Sequence, residues 1–191
     1  AMPAPKPPEP AVLGLAEALG DKPLCGGCGA KVGSEGLTAM MQALPRPQRL
    51  EVLTGAGDDA AILRTDHGVQ VMTTDHLRTF TCDPRLMGEL TAIHAMGDIW
   101  AMGATPQVAL AQVILPRLSP TLQARTLAEV MEAAAEVFVT AGADVVGGHT
   151  SQGAELTLGF TVTGLAQQVL TKAGAKDGDA LILTKPLGSG T

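Results

Sequence analysis

The sequence of 191 residues predicts an α+β domain in which helices cover one face of a mixed sheet. Two observations predict this fold class. Five short apolar or alternating segments are typical of strands, and two long amphipathic segments between them are typical of helices. The hydrophobic fraction of 46% is enough for one well-buried domain, and the aromatic fraction of only 2% indicates an aliphatic core. Since two helices cover one face, we expect the other face to be open for pairing with another subunit.

The N-terminal part divides into a linker and two short helices. Five of the first ten residues are prolines, which favours an extended linker over residues 1–20, with a short helix at 11–19. A second helix is predicted over Glu35–Leu44, because Pro45 follows it. The folded domain is therefore expected over residues 21–191.

The remainder alternates between strand and helix patterns. Strands are predicted at Val69–Thr73, Val108–Leu115, Ala143–Val146, Leu156–Thr163 and Ala180–Thr184. Helices are predicted over Pro84–Met102 and Ser119–Ala141, the second with Ser119 as its N-cap and Gly142 at its end. Apolar side chains recur along the second helix at spacings of three and four, which predicts a stripe that packs on the sheet: Leu127, Val130, Met131, Ala134, Val137 and Phe138.

Charge and composition exclude several classes of partner. The net charge is −6, and no basic run or arginine-rich aromatic stretch occurs, so we expect no nucleic-acid partner. No segment approaches the length of an apolar membrane span, and the first residues lack the apolar core of a signal peptide. With three cysteines and no disulfide framework, the expected compartment is the reducing cytoplasm.

Two cysteines and a lysine lie among glycines in Leu24–Lys31. A nearby ammonium stabilises the reactive thiolate, so Cys28 with Lys31 is interpreted as an activated nucleophile beside an anion-binding charge. The pair Cys25 and Cys28 also has three alternative interpretations: half of a zinc site, a redox disulfide, or two small buried residues. Zinc is disfavoured, because the remaining cysteine, Cys82, is distant and has no companion ligand.

Four carboxylates form a candidate metal site. Asp58 and Asp59 follow a glycine in a tight turn, Asp75 is expected at a strand end, and Asp98 lies on a predicted helix. Because Mg2+ takes oxygen ligands and bridges a few carboxylates to phosphates, these acids suit a metal–nucleotide site. Each pair alone is better explained as a turn former or a helix cap than as a catalytic group.

A third segment is typical of phosphate contacts. The predicted strand Ala143–Val146 runs into Gly147 and Gly148, followed by His149 and Thr150. Backbone amides exposed by glycines can cradle phosphate oxygens. The segment is not a Walker motif, and His149 is also explained as an ordinary loop histidine.

Together these residues resemble the selenophosphate synthetase branch of the superfamily that includes aminoimidazole ribonucleotide synthetase, a thiamine-monophosphate kinase and a hydrogenase maturation factor. Four motifs in the correct order carry the resemblance to the superfamily: GDDAAIL at Gly57–Leu63, TTD at Thr73–Asp75, the DxxxxGAxP signature at Asp98–Pro106 and GGHT at Gly147–Thr150. Cys28 and Lys31 match the catalytic cysteine and lysine of the selenophosphate synthetases, and so point to that branch.

The resemblance implies magnesium-dependent formation of selenophosphate, AMP and phosphate from ATP, selenide and water. It implies that Cys28 handles the selenium species and that Lys31 stabilises phosphate charge and binds nucleotide. The implied ligands of Mg2+ are Asp58, Asp59, Asp75 and Asp98. The implied nucleotide contacts further include Thr74, Asp75, Asp98, Gly147, Gly148, His149 and Thr150. Glu155 matches an acidic position after the GGHT motif.

The resemblance also implies a fold, in which the open sheet pairs with a second copy into a dimeric β-barrel. Two departures are visible. The chain stops at Leu181–Thr191, which resembles the junction to a C-terminal domain that completes the nucleotide site, so we expect weak nucleotide binding and little turnover from this chain alone. His94 stands where the resemblance leads us to expect an amide side chain.

Two other functions remain open on the sequence. One is another ATP-dependent kinase or synthetase of the same superfamily, similar to thiamine-monophosphate kinase. The other is a non-catalytic dimerisation or metal-binding module, in which Cys25 and Cys28 have a redox or a structural role.

Overall fold

A computed structural model describes residues 34–54 and 57–185. The elements in chain order are α1 (Ser34–Ala43), β1 (Ala61–Thr65), β2 (Gly68–Arg78), α2 (Pro84–Ala101), β3 (Thr105–Pro116), α3 (Pro120–Thr140), β4 (Asp144–Gly153) and β5 (Thr157–Ala166). The predicted helix at residues 11–19 and the linker before it lie outside the described residues.

The five strands form one mixed sheet in the order β1-β2-β5-β3-β4. Pairing is antiparallel between β1 and β2, β2 and β5, and β3 and β5, whereas β3 and β4 are parallel. The register places Asp75 of β2 opposite Phe160, Phe160 opposite Ala111, and Ala111 beside Gly148 of β4. These four residues therefore form one row across the sheet.

Helices α2 and α3 pack together on one face of the sheet and bury an aliphatic core with few aromatic rings. Phe138 of α3 meets Phe160 of β5 edge to face, with ring centroids 5.0 Å apart. The predicted stripe of α3 is confirmed, because Val130, Ala134 and Phe138 are fully buried and its other three members pack against the core.

The opposite face of the sheet is open, as the sequence predicted. It carries hydroxyl and amide side chains, such as Gln107 and Thr163, which are hydrogen-bonded to each other at 3.1 Å. It also carries the exposed apolar side chains of Met72, Leu110 and Leu165. An antiparallel sheet tolerates one solvated face, but large apolar side chains on it indicate a surface suited to a partner.

The helix ends follow the sequence signals. The Asp83 carboxylate caps α2 by accepting from the backbone N–H of Arg85 and Leu86, and the Ser119 hydroxyl caps α3 by accepting from Leu122 N–H. After α3 the chain turns at Gly142, whose φ of +79° is in the left-handed region that favours glycine. The predicted bounds of both helices agree with the structure within one residue.

Several strand predictions were wrong in extent. Thr73–Asp75 lies in the middle of β2 and not at its end, and β4 continues through the glycines to Gly153. Strand β1 was not predicted. The predicted strand Ala180–Thr184 has no regular structure, and its Leu181 is 99% exposed. An apolar run forms a strand only where a neighbouring strand accepts its hydrogen bonds, and the described residues supply none there.

None of the helices in residues 34–54 and 57–185 combines the length and the apolar character needed to cross a membrane.

Two glycines on α2 provide a matched stability test. A Cβ on Gly88 would lie 2.4 Å from the Val130 carbonyl oxygen of α3, whereas a Cβ on Gly97 would enter open space. We expect Gly88→Ala to lower the free energy of unfolding by about 1–3 kcal/mol through overpacking. Gly97→Ala should raise it by about 0.5–1 kcal/mol, because alanine favours the helix.

Urea denaturation monitored by circular dichroism measures both changes. If the two variants shift the unfolding midpoint in the same direction, then α2 and α3 do not approach as closely as the structure indicates.

Candidate functional site

The core-facing side of β2 holds two polar residues that meet α2. The Thr73 hydroxyl is buried and donates to Asp98 Oδ2 at 2.8 Å. Asp75 lies two residues further along β2, and its Oδ2 is 2.9 Å from His94 Nε2. Strand residues two apart share a face, and helix residues four apart also share a face. Both contacts therefore arise from the same alignment of α2 on β2. Together they fix the orientation of the Asp75 and Asp98 carboxylates.

The second part of the site is the turn that precedes β1. Gly57 has a φ of +136°, and the Asp59 N–H donates to the Asp58 carboxylate at 2.9 Å. The chain before the turn is held to the sheet, since the Thr54 hydroxyl accepts from Ile62 N–H at 3.1 Å. This turn therefore presents two adjacent carboxylates from a fixed backbone.

Lys172 is a site residue that the sequence analysis missed. Its Nζ lies 2.7 Å from Asp59 Oδ1. The hydrogen bond to Asp59 raises the pKa of the Lys172 ammonium, and the charges of Asp59, Asp58 and Asp98 add to this effect. Lys172 thus contacts one carboxylate directly, and two others act on it through their charge alone. No local signal marks Lys172, because only the path of the chain after β5 brings it to a turn more than a hundred residues earlier.

A cleft of about 390 Å³ opens beside this turn. Its lining includes Asp58, Asp59, Thr73 and Thr74. Thr74 faces the opposite side of β2 from Thr73, and its hydroxyl oxygen accepts from the Thr161 hydroxyl at 3.1 Å. The structure therefore brings Thr74 to the same cleft as the paired aspartates.

The donor set fits Mg2+ better than zinc. Within residues 34–54 and 57–185, no three histidine, cysteine, aspartate or glutamate side chains gather closely enough to enclose an ion by themselves. Mg2+ does not need such a cage, because it keeps several waters and is held by one or two carboxylates together with substrate phosphates. Oxygen donors from Asp58, Asp59 and Asp98 beside an open cleft match that requirement.

The segment Gly147–Thr150 is part of β4, not a loop after a strand. Gly148 lies in the same row as Asp75 with two strands between them, at a separation of about 14 Å for three strand spacings. A Cβ on Gly148 would lie 2.1 Å from the Ala111 carbonyl oxygen, so close strand packing by itself requires this glycine. One chain does not bring this segment into contact with the acidic residues.

The remaining predicted residues are placed as follows. Cys25, Cys28 and Lys31 lie outside the described residues. Cys82 is a free, exposed cysteine. Glu155 forms an ion pair with Arg78 at the end of β2.

One family model matches this chain. The family described as AIR synthase related protein, N-terminal domain, matches residues 57–166, a stretch that runs from the Asp58 turn to the end of β5.

The chain is also similar to curated proteins named "Selenide, water dikinase". The protein of this name from Bdellovibrio bacteriovorus is 40% identical over 172 residues, which cover 87% of this chain and 49% of the relative. The one from Nitrosomonas eutropha is 38% identical over 172 residues, with coverages of 87% and 49%. The chain therefore spans about half the length of the curated relatives it matches.

A solved structure agrees with the fold. The structure described as AaThiL complexed with AMPPCP and TMP superimposes with a TM-score of 0.64 at 19% identity, covering 75% of this chain and 45% of that one.

The buried contact between β2 and α2 yields a stability prediction. We expect Thr73→Val to lower the free energy of unfolding by about 1 kcal/mol, because Asp98 loses a hydrogen-bond donor while the size of the side chain is kept. The melting temperature should fall by about 2–4 °C. Thr161→Val is the control, since its hydroxyl bonds another hydroxyl on the open face. Equal melting temperatures for the two variants would contradict a structural role for the Thr73 contact.

Proposed function

The chain belongs to the AIR synthase related family through that family's N-terminal domain, and we propose that it is the nucleotide- and metal-binding half of a selenophosphate synthetase. The proposed reaction forms selenophosphate, AMP and phosphate from ATP, selenide and water, with Mg2+ as cofactor. The names of its relatives support the reaction class. The observation that carries the proposal here is the pair of carboxylates Asp58 and Asp59 in the lining of an open cleft, to which Asp98 is joined through the lining residue Thr73.

The reaction transfers two phosphoryl groups from ATP, one to selenide and one to water. Catalysis of phosphoryl transfer is mainly positioning and charge neutralisation, so the residues must hold a triphosphate in a fixed place. Asp58, Asp59, Asp75 and Asp98 would hold Mg2+, which neutralises phosphate charge when bound. Thr74 and Lys31 would contact the nucleotide.

Two residues position these ligands without touching substrate. Thr73 orients Asp98 through its buried hydroxyl, and His94 holds Asp75. A histidine at position 94 can fill this role in place of an amide side chain, because His94 Nε2 contacts the Asp75 carboxylate. Partners of this kind keep metal-binding carboxylates in place before the ion arrives.

Cys28 and Lys31 are proposed as catalytic residues on the resemblance of their segment to the family's cysteine–lysine element. The Cys28 thiolate would handle the selenium species, and the Lys31 ammonium would stabilise developing phosphate charge. A reaction that uses a free thiol requires reducing conditions, and the reducing cytoplasm is the proposed compartment.

The β4 segment Gly147–Thr150 is proposed as a further nucleotide contact. Gly148 lies about 14 Å from Asp75 along one row of the sheet, and Phe160 and Ala111 between them are buried, so a nucleotide held at Asp75 would not reach Gly148 of the same chain across that row. The exposed apolar residues of the open face support a homodimer through this face. ATP and selenide are the proposed small-molecule substrates.

A thiamine-monophosphate kinase-like activity is the weaker alternative. The ThiL structure shares the fold at 19% identity, whereas the relatives named selenide, water dikinase are 38–40% identical.

Binding of a metal–nucleotide complex is tested on the chain itself. With Mg2+ and AMPPCP at about ten times the dissociation constant, binding adds about 1.4 kcal/mol of stability. This corresponds to a rise in melting temperature of about 3–6 °C. We expect EDTA or Asp98→Asn to abolish the rise, and Asp66→Asn, in the exposed turn between β1 and β2, to leave it unchanged. A rise that persists in EDTA would contradict the proposed metal site.

The reaction is tested by replacing the N-terminal half of the Bdellovibrio bacteriovorus relative with this chain. Phosphorus NMR with ATP, Mg2+ and selenide under anaerobic conditions should show selenophosphate and AMP from the hybrid. Cys28→Ser in the hybrid should abolish selenophosphate, and this chain without the second half should show little turnover.

The intact relative is the positive control, and one cooperative melting transition checks that the hybrid is folded. A folded hybrid that releases ADP without dependence on selenide would overturn the selenium assignment and favour a small-molecule kinase.

A further inference from the structure

Lys172 belongs to a short segment that returns from β5 to the site. The Leu170 N–H donates to the Met102 carbonyl at 3.0 Å. The Leu170 side chain lies against Gly103, where a Cβ would come within 3.2 Å of it. Gly103 has a φ of +70°, in the left-handed region that favours glycine, so the absence of a side chain here leaves room for Leu170. Leu170 therefore anchors the segment, and two residues later Lys172 reaches Asp59.

We propose that Lys172 is a built-in counter-ion of the candidate metal site, which occupies Asp59 until a metal–nucleotide complex arrives. The ammonium then passes from the carboxylate to the incoming phosphates. Lys172 is a positioning residue in this scheme. The inference rests on the proposed function, because it requires Asp59 to bind a cation.

The charges around Lys172 favour such a role. Asp58 and Asp59 are adjacent in one turn and repel each other, and the Lys172 ammonium, 2.7 Å from Asp59 Oδ1, relieves that repulsion without a bound ion. The same ammonium repels a free divalent cation and competes for the Asp59 oxygen. Binding of the cation alone is therefore weakened, whereas a nucleotide brings phosphate charge that the displaced ammonium can bind.

The exposure of Lys172 allows it to move. Its side chain is 59% exposed, and a surface ion pair contributes little to stability, so a dication can displace it. Breaking a purely structural pair would instead leave the affinity for a cation unchanged. The two roles are thus separated by measuring cation affinity beside melting temperature.

The first test measures Mn2+ binding without nucleotide, by following the EPR signal of free Mn2+. We expect Lys172→Met to bind Mn2+ at least about fivefold more tightly than the unmodified chain, since it removes both the competitor and its repulsion. Lys176→Met is the matched control. It changes the net charge equally, lies four residues further along the same segment, and its side chain forms no ion pair among the residues that the structure describes.

The second test measures AMPPCP binding at saturating Mn2+. Lys172→Met should weaken it severalfold, and Lys172→Arg, which keeps a cation at this position, should restore much of the loss. Melting temperatures of all variants check folding, and Lys172→Gln serves as a second neutral variant.

Two results would overturn the inference, and they differ in what else they overturn. In the first result, the unmodified chain binds Mn2+, and Lys172→Met binds it no more tightly than the unmodified chain or than Lys176→Met. Lys172 then forms an ordinary surface ion pair, and the metal site stands. If neither the unmodified chain nor Lys172→Met binds Mn2+, then the proposed metal site fails and the role of Lys172 fails with it.

Discussion

The candidate site depends on how α2 lies across β2. Two polar contacts join these elements, Thr73 to Asp98 and His94 to Asp75, and both are set by the same helix–strand alignment. Close packing of α2 on α3 at Gly88, and of α2 on the sheet at Gly164, holds that alignment. A shift of α2 by one residue would rotate Asp98 away from Thr73, because neighbouring helix positions lie about 100° apart. The packing of the core therefore determines where the charges lie.

The site concentrates negative charge in an otherwise ordinary aliphatic domain. Carboxylates that repel one another lower the stability of a fold, and such destabilising groups are typical of sites that bind cations or phosphates. In this chain the cost is reduced by local partners: a hydroxyl for Asp98, an imidazole for Asp75 and an ammonium for Asp59. The exposed Lys172 ammonium can be displaced when ligand binds, whereas Thr73 and His94 keep their carboxylates in place. This arrangement differs from a closed metal cage, which would hold an ion without a substrate.

Sequence patterns predicted the parts of the fold that carry periodic hydrophobicity. Helices α2 and α3 have clear caps and apolar stripes, so their bounds were predicted within one residue. Strand β4 was predicted too short because its glycines and polar residues lie on an exposed edge and have no apolar alternation. Motifs identified Asp58, Asp59, Asp75 and Asp98, but not which of them meet. Lys172 and the pairing of His94 with Asp75 were missed because both arise from contacts between distant segments.

In the proposed site, the Asp58 turn, Asp98 and the adjacent cleft together bind one metal–nucleotide complex. A crystal structure of this chain with Mn2+ and AMPPCP, in which the manganese is located by its anomalous scattering, tests this proposal. We expect a manganese peak between the phosphates and the carboxylates of Asp58, Asp59 and Asp98, with the Lys172 ammonium moved from Asp59 to a phosphate oxygen. A manganese peak elsewhere, or a nucleotide bound with the Lys172–Asp59 pair intact and no metal at the turn, would contradict it.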